Sequence, residues 1–253
     1  MKRLFLYGDV ADNFGTTSIP FVEAAGGRAA KIALLLTGGP GWDRYVAVYR
    51  DPWMRAGAAE VIPIAPHGDA TDLGVEAVSQ LRSCSGIFVG GGDMHRYQRI
   101  YACPEIRTII CELYESGVPY GGASAGAQIC TEACILGGSS VRTSDNEYRI
   151  LASGHEEPVE GSEQLTMAKG LGLLRDCVVD VHLSETGAFP RLIQGMELAK
   201  ASHGLGLDEP ICLEVRDGCR VKVHGYGRAY LVMRLGILRF ELRVLEAGSE
   251  LEM

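Results

Sequence analysis

Short apolar runs at residues 4–7, 32–36, 61–64, 87–89 and 118–120 each stop at a turn containing Gly, Pro or Asp. Between them lie helical patterns at residues 45–56, 73–82 and 105–116. A strand buried on both faces reads as a continuous apolar run, and strands that alternate with helices build a parallel sheet covered on both sides. The alternation therefore predicts an α/β fold. Sheets of this kind hold their ligands at the carboxyl ends of the strands, and the two richest glycine turns, after Val89 and after Tyr120, fall at such ends.

The pattern breaks at residues 137–161. This stretch is polar, carries Asp145, Glu147, Glu156, Glu157 and Glu160, and has little periodicity beyond a short strand expected at 148–151. Excursions of this length are usually functional or mobile. Regular structure resumes with a strand at 177–181, a helix at 191–202, a strand at 204–207 and a hairpin from 211–215 and 221–224. Residues 247–253 are expected to fray. No repeat or linker divides the 253 residues, so a single domain spanning 1–253 is expected.

Composition narrows the function. The net charge is −8 with no basic block, which argues against a nucleic-acid partner. The opening apolar run ends too early for a signal core of roughly 7–15 residues, and no run approaches the ~20 needed to span a membrane. A cytoplasmic location is expected. Eight cysteines without a Cys-x-x-Cys pair are expected to be reduced, mostly buried thiols, so neither metal nor cofactor is anticipated. Glycine is the outlier: there are 33, about twice the usual ~7%.

The most informative glycines surround one serine, in Val118-Pro119-Tyr120-Gly121-Gly122-Ala123-Ser124-Ala125-Gly126-Ala127. The segment reads strand, sharp turn, helix. A nucleophile elbow needs small neighbours, because its serine sits in a strained backbone where bulky side chains clash. A plain turn with a serine helix cap would look similar. If Ser124 is a nucleophile, the Ala125 N–H can serve an oxyanion. Gly90-Gly91-Gly92-Asp93 lacks the spacing of a phosphate or dinucleotide loop. Its other use is to supply a second oxyanion donor, from Gly92 or Gly91. Among the histidines, His182 ends a strand where an open sheet places site residues, and His95 beside the glycine loop is its rival.

Together these segments resemble the cyanophycinase and dipeptidase E family of serine peptidases. The resemblance rests on Gly90-Gly91-Gly92-Asp93, the turn at 121–127, Asp180-Val181-His182-Leu183 with Arg191-Leu192, Gly170-Leu171-Gly172-Leu173-Leu174 and Gly206-Leu207-Asp208-Glu209, in matching order. It implies a three-layer α/β sandwich with a mostly parallel central sheet, like that of class I glutamine amidotransferases. It further implies Ser124 as nucleophile and His182 as general base. For the third member it suggests Asp145, with Glu147 and Glu163 as alternatives, and an ordinary solvated loop charge accounts for any of them equally. Asp93, Asp180 and Arg191 are the expected substrate ligands. Val181, Thr186 and Ala188 depart from the residues the family uses there, so a small acidic peptide or isopeptide is expected rather than cyanophycin itself.

Two other readings share the motifs. One is a hydrolase or acyltransferase that does not act on peptides; the other is a silent binding protein. The run Leu235-Gly236-Ile237-Leu238, within residues 231–245, fits an interface in a homodimer and fits core packing equally.

Overall fold

The computed structural model describes residues 1–68, 70–138, 165–237 and 239–253, together with the backbone of 149–151. In chain order the first half holds β1 (Arg3–Tyr7), α1 (Phe14–Thr17), α2 (Ile19–Ala24), β2 (Lys31–Leu35), α3 (Val46–Arg55), β3 (Glu60–Ile64), α4 (Val75–Arg82), β4 (Gly86–Val89), α5 (Met94–Tyr101), α6 (Pro104–Glu115), β5 (Tyr120–Ala123) and α7 (Ala125–Gln128). The second half holds β6 (Ala133–Gly137), β7 (Arg149–Leu151), β8 (Thr166–Lys169), β9 (Cys177–Val181), α8 (Phe189–Ala199), β10 (His203–Leu207), β11 (Ile211–Arg216), β12 (Arg220–Gly225), β13 (Arg228–Gly236), β14 (Arg239–Glu246) and β15 (Glu250–Glu252).

The central sheet has eight strands in the order β15-β12-β11-β1-β5-β4-β2-β3. The run from β1 to β3 is parallel, and β11, β12 and β15 extend it antiparallel beyond β1. Strand alternation splits the apolar residues between two buried faces. Phe5, Tyr7, Ile32, Leu34 and Phe88 join Phe14, Phe21, Tyr49 and Trp53 from α1–α3 in an aromatic core. Leu4, Leu6, Ala33, Leu35, Ile87 and Val89 face the opposite core, with Tyr97, Ile100 and Tyr101 of α5 and Ile106 and Ile110 of α6. Helices thus cover both faces, as the apolar runs imply. Among the described residues no helix is long and apolar enough to cross a membrane.

The structure also revises several sequence expectations. The strand expected at 118–120 runs from Tyr120 to Ala123, straight through two glycines. The reason is crowding: a Cβ on Gly121 would meet the Phe88 ring at 2.3 Å. The expected fraying tail instead forms β15, with Leu251 paired to Val221. The later strands do not all extend the central sheet. β9 and β10 are parallel neighbours in a second sheet, ordered β14-β13-β10-β9, and β6, β8 and β7 form a third. All eight cysteines are free, and Cys84, Cys130, Cys134, Cys177 and Cys212 are buried.

Candidate active site

Three adjacent parallel strands, β1, β5 and β4, release their chains at the same edge. This brings Asp9 after β1, Ser124 after β5 and Gly91-Gly92 after β4 around one cleft of about 620 Å³. The order within the sheet explains the location. From β2 the chain steps outward to β3, then returns across β2 to β4 and inward to β5, so the strand order reverses between β2 and β4, and such a switch point leaves a crevice at the carboxyl ends.

Ser124 has φ 50° and ψ −112°, a conformation that L residues with side chains rarely adopt. Its backbone is held on both sides. The Ser124 N–H donates to the Tyr7 carbonyl at 3.0 Å, and the Ser124 carbonyl accepts from Ala127 and Gln128 at 2.9 and 3.1 Å. The small neighbours are sterically required. A Cβ on Gly122 would lie 2.2 Å from the Gly126 carbonyl oxygen, and one on Gly126 would lie 2.1 Å from that of Val89. The turn that looked like a nucleophile elbow in the sequence has the strained serine and close strand–helix approach of one.

Ser124 Oγ lies 3.1 Å from His182 Nε2, and His182 Nδ1 lies 3.0 Å from Glu209 Oε1. Parallel pairing of β9 and β10 makes this possible, because Val181 sits beside Leu207 and the two chains leave the sheet together. Asp208 then ties the two exits to each other. Its Oδ1 accepts from the Ser184 amide and hydroxyl at 3.1 and 2.6 Å. The His182 carbonyl accepts from the Thr186 amide and hydroxyl, which fixes the turn behind the imidazole. Asp145, Glu147 and Glu163 lie outside the described residues. The carboxylate that meets the imidazole is Glu209, whose segment the sequence comparison singled out without giving it this place. His95 lies on α5 with its ring near Gly137.

The glycine loop is oriented by two tyrosines. Tyr49 Oη accepts the Gly91 N–H at 2.9 Å, and the Tyr97 hydroxyl donates to the Gly91 carbonyl at 3.1 Å. Burial pushes the Tyr49 hydroxyl up to about 12, opposed by the Gly91 hydrogen bond and assisted by the charge of Asp9. The Gly91 amide is therefore already used. Because the Gly91 carbonyl is held by Tyr97, the Gly92 N–H in the same trans peptide plane points away from that tyrosine, and Gly92 turns the chain that follows with φ 138°, a value favourable only to glycine. Neither the Gly92 nor the Ala125 N–H has an acceptor among the described residues. Both amides belong to the loops that meet Ser124.

Asp180 and Arg191, both expected to meet a substrate, are paired with each other. Asp180 is fully buried, and Arg191 grips it with Nε to Oδ2 and Nη2 to Oδ1, both at 2.8 Å. Gln128 Nε2 and the Val181 amide complete its shell at 3.0 and 2.9 Å. Each residue thus consumes the charge the other was expected to offer a substrate. The pair ties β9 to α7 and α8, directly beneath the histidine and serine turns. Asp93 caps α5 by accepting the Arg96 N–H at 3.1 Å.

The cleft offers other charges. Asp9 lies with its carboxylate, the His182 ring and the Glu209 carboxylate all within 4.8 Å of one another. This is a conceivable metal-ligand set, but a cation there would compete with Ser124 or Glu209 for the imidazole nitrogens. Arg44 lines the cleft with Trp42, Tyr45 and Val48. It stacks on Tyr45, with no carboxylate within 4.0 Å among the described residues.

The sequence model of the family described as Peptidase family S51 matches residues 40–223. Cyanophycinase from Synechococcus elongatus is 28% identical over 214 residues, covering 84% of this chain and 61% of that protein. Cyanophycinase from Geminocystis herdmanii is 27% identical over 217 residues, covering 84% and 72%. The chain spans about three fifths of the length of the first of these relatives. Among solved structures, a peptidase from an acI-B1 Actinobacterium aligns with a TM-score of 0.68 at 19% identity, covering 100% of this chain and 97% of the other. A putative peptidase E protein from Listeria monocytogenes aligns at 0.54 and 18%, covering 90% and 100%. At these identities the two structures speak to the fold alone.

Proposed function

The chain belongs to peptidase family S51, and from that premise we propose that it is a serine peptidase that works through Ser124, His182 and Glu209. The observation that carries this reading is the unbroken chain from the Ser124 hydroxyl through His182 to Glu209, at 3.1 and 3.0 Å, anchored on a serine in strained backbone. His182 Nε2 takes the Ser124 proton as Oγ attacks the scissile carbonyl, and Glu209 holds the imidazole in the tautomer this needs and balances its charge. The Gly92 and Ala125 amides receive the oxyanion; one such donor is typically worth ~10²–10³ in rate. The departing amine takes the proton from His182. Water, deprotonated by the same imidazole, then releases the acyl group.

The substrate we propose is a small peptide or isopeptide with an acidic residue, bound as a monomeric unit rather than as a long polymer. Support comes from the cleft. The Arg44 guanidinium, which donates to Tyr45 Oη at 3.4 Å and has no carboxylate partner among the described residues, can fork onto a substrate carboxylate, Asp9 can hold a substrate ammonium, and Trp42 and Tyr45 wall the space between. These ligands replace Asp180 and Arg191, which neutralise each other. The chain is proposed to act in the cytoplasm, with no metal or cofactor.

Labelling with a fluorophosphonate is the direct test. Wild-type protein should label at Ser124 and hydrolyse Asp- or β-Asp-dipeptides, with both signals lost in Ser124→Ala and in His182→Ala. Well-folded wild-type protein that neither labels nor cleaves would overturn the reading. Labelling combined with cleavage of esters but of no peptide would move it to a non-peptidase hydrolase.

A further inference from the structure

We propose that the chain forms a twofold dimer by pairing β14 with β14 of a second copy, so that two four-stranded sheets become one. The hairpin of β13 and β14 lies beyond residues 40–223, where the family match ends. β14 is the outer strand of its sheet, and among the described residues no strand covers its far side. A long uncovered edge is a template for pairing, and proteins usually blunt it with short strands, charged side chains, proline or a bulge; the charges of β14, Arg239, Glu241, Arg243 and Glu246, are of both signs and so can pair across a twofold axis rather than repel. The register shift between Arg234 and Gly236 is at the hairpin's turn end, and β14 contains no proline.

Backbone polarity along β14 follows from its neighbours. The Arg228 carbonyl accepts from Asp208, and the Arg234 amide donates to Ser202, so these even-numbered positions of β13 face β10. By alternation, Ala229, Leu231 and Met233 face β14, opposite Leu245, Arg243 and Glu241. The amides and carbonyls of Phe240, Leu242 and Val244 therefore point outward. Glu246 shares their phase, and its amide and carbonyl are met by Ser249 rather than by β13. The side chains of Leu242 and Val244 are 50% and 52% exposed on the same strand. They flank the sheet face that packs Tyr230 and Val232 against α8.

The sequence of this edge is complementary to itself in one register. Antiparallel pairing about an axis at Leu242 sets Leu242 against its own copy and Phe240 against Val244 of the second copy. Both are pairs of outward-facing backbone groups. On the other face, Glu241 and Arg243, which pair with each other within the strand at 2.7 Å, then also stand opposite Arg243 and Glu241 of the second copy, so that four charges alternate in sign about the axis. Moving the axis to Glu241 or to Arg243 keeps the backbone phase but sets like charges against each other. Charge thus selects the register that also joins the apolar side chains.

Sedimentation equilibrium over a concentration series tests this. Wild type should pass from monomer to dimer in the micromolar range. Leu242→Lys, which sets two ammonium groups on the axis, should leave only monomer with an unchanged circular dichroism spectrum. Glu241→Arg and Arg243→Glu should each weaken association by about tenfold, and the double exchange E241R/R243E should restore it to within about threefold of wild type. The proposal fails if wild type stays monomeric to ~100 μM, a concentration at which pairs of this kind should associate. It fails equally if the dimer survives Leu242→Lys, or if the double exchange is no better than the single ones.

Discussion

Among the described residues, two imidazole–carboxylate pairs of nearly the same length stand in opposite surroundings. His182 meets Glu209 at 3.0 Å, and His224 meets Glu214 at 3.1 Å. Glu209 is 44% exposed, and the second nitrogen of its histidine faces a serine hydroxyl. Glu214 is 1% exposed and is also held by Arg3 and Arg216 at 2.7 Å each. One carboxylate serves a single imidazole that keeps a proton partner in the cleft. The other is the fixed centre of a cluster of positive groups joining β1, β11 and β12. A histidine beside a glutamate is not in itself chemistry; what the imidazole's other nitrogen reaches, and how many cations share the carboxylate, decide the role.

The sharpest way to break this comparison is to remove each imidazole in turn. His182→Ala should lower kcat/KM by about 10⁴-fold or more, with little change in thermal midpoint. His224→Ala should leave kcat/KM within about twofold, because it is remote from Ser124, while lowering stability through the partner it strips from a buried carboxylate. Steady-state kinetics beside thermal melts measure both. Comparable loss of activity in the two variants would remove the distinction.

Replacing the carboxylates sharpens it further. Glu209→Gln should cost roughly 10²–10⁴-fold in kcat, by loosening the imidazole and withdrawing the charge that balances it. Glu214→Gln should cost roughly 3 kcal/mol of stability, at the lower end for a broken buried ion pair because the two arginines are partly exposed. It should leave kcat unchanged. Chemical denaturation and single-turnover kinetics separate the two effects.

The strained turn at Ser124 and the place of His182 at a strand end are readable in the sequence because they are local. Small residues at 121–127 and a histidine at the end of an apolar strand carry their meaning in a few neighbouring positions. Glu209 is not local: its role depends on β9 and β10 lying side by side, and nothing in the spacing of 182 and 209 states that. The family resemblance pointed instead to Asp145, Glu147 and Glu163, which lie outside the described residues. Asp180 did leave a clue. A carboxylate inside Cys177-Val178-Val179-Asp180-Val181 is in a strand buried at every position, so it needed an internal cation, and Arg191 on the next helix supplies it. The strand-and-helix alternation revealed the parallel half of the central sheet. The separate second sheet and β15 stayed hidden, because strand partners several elements apart are chosen by tertiary packing. Helix α5 was detectable from Asp93 as a cap and from Met94, Tyr97, Ile100 and Tyr101 at helical spacing.

Acid provides a gentler probe of the same contrast. Burial alone would raise the Glu214 carboxyl, but hydrogen bonds from His224, Arg216 and Arg3 outweigh it and hold it well below the ordinary range. A carboxyl depressed by folding adds stability that is complete above its unfolded value, here 4.5, and is lost as pH falls towards its folded value. Asp180 has the opposite sign: burial holds it above its ordinary value of 3.8 despite Arg191, so acid relieves its cost. Melting temperature should therefore fall below about pH 4.5, and Glu214→Gln should flatten that fall. An unchanged slope in Glu214→Gln would mean that other carboxylates set acid stability.

The smallest effect should come from an atom that touches neither imidazole. Tyr49→Phe keeps the ring among Phe14, Trp53 and Phe88 and removes only the oxygen that accepts the Gly91 amide. An amide left without its partner loses about 1–3 kcal/mol if it stays dry, so the loop should turn to find water. That rotation swings the following peptide and with it the Gly92 N–H. The expected result is a fall in kcat of about tenfold, part of the value of one oxyanion donor, with KM nearly constant because the cleft wall is unchanged. If kcat holds while only the melting temperature drops, the Gly91 turn is rigid without its tyrosine, and the hydroxyl serves the aromatic core rather than the chemistry.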